Sequence, residues 1–128
     1  MDIKALYNEK LGTLEDCLAL LKDGDSIACS GVVNEAVTFL ENLPKAVMNL
    51  KDIVIVKGRD HVYDWQFDPA MGEHMHMYGH LFGDSVRKSH KLGMADYLPS
   101  DLSTFSAIRT AVRPNNVFIA NTTDMDEE

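Results

Sequence analysis

The stretch DIVIVKG, Asp52 to Gly58, constrains this chain more than any other. Its run of β-branched apolar residues fits a pleated, buried strand, and Gly58 supplies a turn signal directly after it. Similar runs stand on either side: DSIACSG predicts a short buried strand over Ser26–Ser30, and NNVFIAN predicts another near the end. Between them lie segments of helical period. In TLEDCLALLKDGD, Leu14, Cys17, Leu18 and Leu21 share one face, Thr13 can cap with Asp16 three residues on, and Gly24 stops the helix. NEAVTFLENL predicts a second helix, with Asn34 near its start and Pro44 interrupting or restarting it. Strands that alternate with helices imply an α/β fold, a mostly parallel sheet flanked by helices on both faces.

The second half continues the alternation. FDPAMGEHM reads as loop or short helix, and MHMYGHLFG as a strand ending at Gly83. DSVRKSHKLG predicts a short helix capped by Asp84 or Ser85 and stopped by Gly93. ADYLP is short and extended, and PSDLSTFSAIRTA is a helix with Leu102, Phe105 and Ile108 on one face. No internal repeat or low-complexity linker divides the chain, so its 128 residues are expected to form one domain.

Bulk chemistry removes several function classes. With 45% hydrophobic and 25% charged residues the chain can fill a core and is not of disordered composition. A formal net charge of −8 argues against general binding to nucleic acid or an anionic membrane. No apolar run reaches the roughly 20 residues of a membrane span, and the N-terminus has no signal-like apolar stretch. Cys17 and Cys29 are read as buried free thiols, which fits a cytoplasmic location.

HMHMYGH, His74 to His80, raises the question of a metal. On a strand, His74, His76 and His80 project from one face, but His80 lies about 13 Å from His76 at ~3.3 Å per residue. They cannot then converge, and neither a glutamate-bearing HExxH nor a CxxC partner is present. The expectation is a strand whose polar face carries histidines, with no metal; a histidine metal-binding protein is the third-ranked reading.

LFGDSVRKSHKLGMADYLPSDLS, Leu81 to Ser103, carries a longer pattern. Gly83, Arg87, Gly93, Ala95, Asp96, Tyr97, Pro99, Leu102 and Ser103 match F-x-G-x-x-x-R-x-x-x-x-x-G-x-A-D-Y-x-P-x-x-L-S, with Phe82 directly before Gly83, one position later than the pattern's phenylalanine. This resembles the N-terminal domain of the acetyl-CoA hydrolase/transferase family, which includes 4-hydroxybutyrate CoA-transferase-like enzymes. KDGDSIACSG, LKDIVIVKG and VFIANTTDMDEE are similar to the family's strands in the same order, so the resemblance covers nearly the whole chain. It departs where the family's E-P becomes Glu35-Ala36.

The resemblance implies a NagB/RpiA/CoA-transferase-like fold, truncated here, and covalent catalysis by a glutamate in a C-terminal half beyond residue 128. No catalytic residue is then expected in this chain, and the chain alone should be inactive. Its substrates would be an acyl-CoA and a small carboxylate, with no separate cofactor. Its partners would be that C-terminal half and further copies in a homo-oligomer.

Ligands of open α/β sheets bind beyond the carboxyl ends of the strands. That rule selects Ser30 and Gly31 after the first strand and Lys57-Gly58-Arg59 after the second. Glu35 is a further candidate for substrate binding, against a role as a cap that favours the helix dipole. Arg87 can fork onto a carboxylate or CoA phosphate, against an ion pair with Asp96. Gly83, Gly93, Asp96 and Tyr97 read as structural, and Tyr63, Trp65 and Phe67 as packing or an acyl-pocket wall. The competing reading, of a different class, is a stand-alone module that binds an acyl-CoA or organic acid without catalysis.

Overall fold

A computed structural model describes residues 2–57 and 61–125. Five strands form one parallel sheet: β1 (Ser26–Cys29), β2 (Ile53–Lys57), β3 (Met75–Gly79), β4 (Ala95–Tyr97) and β5 (Val117–Ile119). Their spatial order is β4-β3-β2-β1-β5. The chain therefore steps outward from β1 to β4, then returns to lay β5 on the other side of β1. That reversal is a topological switch point, and a parallel sheet puts all five carboxyl ends along one edge.

Among the described residues six α-helices accompany the sheet: α1 (Ile3–Lys10), α2 (Leu14–Ala19), α3 (Val37–Val47), α4 (Pro69–Gly72), α5 (Asp84–Lys91) and α6 (Phe105–Val112). The α/β architecture with a parallel sheet is as the alternation predicts. β2 is buried along its whole length, as its unbroken apolar run requires. The predicted capping box of α2 is present in both directions between Thr13 and Asp16.

The two faces of the sheet are covered differently. Met75, Met77 and Gly79 face the main core, where Leu40, Leu43 and Val47 of α3 and Val86 of α5 pack. Gly79 is required there, since a Cβ would sit 2.7 Å from Cγ1 of Val86. His80 has the opposite parity and meets Phe105 of α6, with ring centroids 3.9 Å apart. No residue of α6 is buried, so this second face is thinly covered.

Several boundaries differ from the sequence expectation. α3 begins at Val37 rather than near Asn34, because Val32–Asn34 form a separate 3-10 turn. Pro44 lies inside α3 without breaking it. β3 ends at Gly79, four residues short of Gly83, and Gly83 itself, not Asp84 or Ser85, is the N-cap of α5. Leu102 is 97% exposed and precedes α6, so it belongs to no packed face. Cys17 is exposed rather than buried, because its stretch of α2 borders an open cleft; Cys29 is half-buried, and neither forms a disulfide among the described residues.

Candidate functional site

The carboxyl edge around β1, β2 and β5 holds the most concentrated chemistry. β1 passes into Ser30 and Gly31, and the backbone then turns through Val32 at φ 58°. A β-branched residue in this left-handed conformation is strained by about 1–3 kcal/mol. The turn is tied to the far side of the switch point: the Ser30 N–H donates to the Ile119 carbonyl (2.8 Å), and the Asn121 N–H to the Asn34 carbonyl (2.8 Å).

Glu35 follows that turn and is only 3% exposed. It is not a surface carboxylate, and it does not cap α3, whose N-cap is Ala36. Its Oε1 accepts from Nζ of Lys57 (3.0 Å) and from the Tyr63 hydroxyl (3.0 Å). Its Oε2 accepts from the main-chain N–H of His61 (3.0 Å) and lies 3.0 Å from Nδ1 of the same residue. Four donors fill a carboxylate's capacity. Burial alone would drive the Glu35 carboxyl up. The hydrogen bonds from His61 and Lys57, with the Lys57 charge, outweigh burial and hold its pKa below the ordinary glutamate range.

Lys57 ends β2 and is 2% exposed. Its ammonium sits 4.4 Å from the Tyr63 ring centroid, and that ring stacks on Trp65 at 5.6 Å. Tyr63 and Trp65 are therefore packed around a buried cation rather than open to a ligand. Trp65 is anchored in turn through Nε1 to the Leu40 carbonyl (2.8 Å). Gly58 and Arg59, the other candidates of this strand exit, lie outside the described residues.

Beside Glu35 opens a mostly apolar cleft of about 550 Å³ between α2, the start of α3 and β5. Leu21, Phe39, Phe118 and Asn121 contribute to its lining. Phe118 is 71% exposed on the edge strand.

Arg87 is placed elsewhere. It is exposed on α5, its Nε donates to the Phe82 carbonyl (2.8 Å), and its guanidinium lies 5.4 Å from the Phe82 ring. The expected ion pair with Asp96 does not form, because Asp96 turns to Nε2 of His76 (3.0 Å) and approaches Nδ1 of His90 (4.0 Å). Tyr97 packs on Phe82 at 5.0 Å, and Gly93 closes α5 at φ 74°. These motif residues thus form a structural knot between α5 and β4, away from the Glu35 cluster in the contacts they make.

The histidines of HMHMYGH also part company. Nδ1 of His74 meets the Leu50 carbonyl (2.7 Å), His76 pairs with Asp96, and His80 is buried against Phe105. Neither ring nitrogen of His80 has a hydrogen-bond partner among the described residues. Burial, with the Arg109 charge nearby, pushes its pKa down to about 4.

Sequence reasoning reached Glu35 but missed His61 and Tyr63 as its partners. The one available signal was a lysine closing an otherwise apolar strand, IVIVK, which asks for a buried counter-ion.

No protein-family model matches the chain, and no curated protein sequence matches it significantly. Solved structures do. The crystal structure of RipA from Yersinia pestis superposes with a TM-score of 0.84 at 18% identity, over 99% of this chain and 32% of that one. A RipA variant gives a TM-score of 0.84 at 19% identity, over 99% of this chain and 31% of its own. The chain spans about a third of the structures it matches. Likeness at this identity establishes the fold. Among the described residues no helix is long and apolar enough to cross a membrane.

Proposed function

We propose that this chain forms the N-terminal wall of an acyl-CoA site in an acyl-CoA:carboxylate CoA-transferase or acetyl-CoA hydrolase. The reading is carried by one observation: a built polar cluster and a cleft meet at the switch point of a parallel sheet, where such folds take ligands. The motif from Phe82 to Ser103 adds the acyl-CoA class, and a match to one third of a longer structure fits a site completed by further polypeptide.

In this proposal Ser30 and Gly31 present main-chain and hydroxyl groups to a small carboxylate. Glu35 acts from behind them, because its own oxygens are fully engaged. Arg87 is at most a peripheral contact for a CoA phosphate. The nucleophilic glutamate comes from a C-terminal half. It attacks the thioester to give a mixed anhydride and then a glutamyl-CoA thioester.

The test is CoA transfer from acetyl-CoA to labelled acetate, with this chain alone and with a C-terminal half carrying the glutamate. Transfer by the pair and none by the chain alone is expected. Transfer by the chain alone would place the nucleophile among these 128 residues and sink the split-site reading. Silence in both, with acetyl-CoA still bound, would favour a binding module without catalysis.

A further inference from the structure

β5 stands at one end of the sheet and is paired on one side only, with β1. Its sequence, Val117-Phe118-Ile119, does not suit that position. Successive strand residues face opposite sides of a sheet. Val117 and Ile119 pack against the main core, and Phe118, 71% exposed, turns to the other side. Apolar residues on both sides belong to an interior strand of a parallel sheet. Exposed edges are ordinarily guarded by a charge, a proline or a bulge, because their free N–H and C=O groups recruit other strands. β4, at the opposite end, carries Asp96, whereas Asn115 to Asn121 around β5 include no charged residue and no proline. The apolar cleft beside Glu35 runs along this unguarded edge. It is lined by Val117, Phe118 and Ile119 in succession, and only the edge of a strand presents three neighbouring residues to one cavity. Across it stand Leu14 of α2 and, just after that helix, Leu20 and Leu21, with Leu20 73% exposed. Among the described residues that line it Glu35 alone is charged, and both its oxygens are engaged elsewhere.

We infer that the outer edge of β5 takes a sixth strand from the C-terminal half, whose apolar side chains fill the cleft against α2 and cover Phe118. This rests on the split-site reading above and says where the two halves join. The length of the structural match points to this occupant, since about two thirds of the RipA chain has no counterpart here. A second copy of this chain is a poorer fit, because each copy carries a formal net charge of −8. A small apolar ligand would fill the cleft and still leave the N–H and C=O groups of the edge unpaired. The seam also lies next to the turn proposed to take the carboxylate, because the Ser30 N–H is bonded to the Ile119 carbonyl. Docking on β5 therefore brings the C-terminal half to the switch point.

Cys17 is exposed and lines the cleft, so its thiol reports what covers it. Alkylation of Cys17 by N-ethylmaleimide, followed by peptide mass spectrometry, is compared for the chain alone and with the C-terminal half in excess. The rate is expected to fall roughly tenfold or more in the pair. Phe118→Lys changes an exposed side chain, so circular dichroism should find the fold intact, and the protection should vanish. Leu102→Lys, a control at another exposed leucine, should keep it. An unchanged Cys17 rate in the pair overturns the seam, and so does protection that survives Phe118→Lys. Protection of the chain alone that grows with its concentration would seat a second copy on β5, and protection by acetyl-CoA alone would seat a ligand in the cleft; either overturns the sixth strand. Acetyl transfer by the pair is scored separately. Cys17 protection without transfer keeps the seam and discards the CoA-transferase reading, and transfer without protection does the reverse.

Discussion

Glu35 and His80 are both buried titratable groups near the carboxyl edge of one sheet, yet they are held in opposite ways. Glu35 is 3% exposed and has four donors; His80 is 6% exposed and neither of its nitrogens has a partner among the described residues. The first is an ion kept charged because its neighbours outweigh burial. The second is a base kept neutral because nothing stabilises its charged form. Burial alone therefore says little about charge at this edge. The neighbours decide it, and of the two groups Glu35 is the one whose hydrogen bonds hold another titratable side chain, His61, in place.

The comparison breaks most directly at Lys57. Lys57→Met strips the cation from a buried carboxylate and is expected to cost about 3–5 kcal/mol in urea unfolding. A loss below ~1 kcal/mol would mean that the remaining donors suffice and that the ion pair is not what keeps Glu35 charged.

Acid separates the two groups by window. The folded pKa of His80, about 4, lies below its unfolded value of 6.5. The unfolded chain therefore binds the extra proton first, and stability falls as the pH drops from 6.5 towards 4, by about 3 kcal/mol in all. His80→Leu should flatten that limb in unfolding curves taken across the range. Glu35 contributes in the same direction but lower down: its stabilisation is complete above 4.5 and is lost as the pH falls through its depressed folded value. A limb that survives in His80→Leu above pH 4.5 would assign the acid sensitivity to another group.

Tyr63→Phe sharpens the comparison by removing one donor of the four. A charge-assisted hydrogen bond to a buried acceptor is lost, so thermal unfolding should report a decrease of about 2 kcal/mol. The smallest effect belongs to an exposed pair. Asp96→Asn removes the negative charge facing His76, and because the Asp96 side chain is 58% exposed the change should stay below ~1 kcal/mol. A larger loss there would show that the knot of α5 and β4 depends on charge rather than on the Phe82–Tyr97 packing.

Much of this was legible in the residues. The strand at Ile53–Lys57, the Thr13 capping box and the turn at Gly93 follow from local preference, and the structure has each of them. The rule that ligands gather beyond strand ends selected Ser30 and Gly31, and the structure places both in the turn directly after β1. The partners of Glu35 were not, because they lie 22 to 28 residues away in the chain and no local pattern joins them. Arg87 and Asp96 show the converse error. Nine positions apart and opposite in charge, they invite an ion pair, but Asp96 on β4 meets His76 of β3 and approaches His90 of α5 instead.

The sequence by itself determined an α/β chain with a parallel sheet, since the period of its apolar residues sets helix and strand, and their alternation sets the sheet. Tertiary structure alone decided that β5 returns beside β1, that one face of the sheet is packed more deeply than the other, and that Glu35 meets Lys57, His61 and Tyr63. Strand order and buried ionic contacts depend on which distant segments come together, and a single chain's local preferences carry no record of that choice.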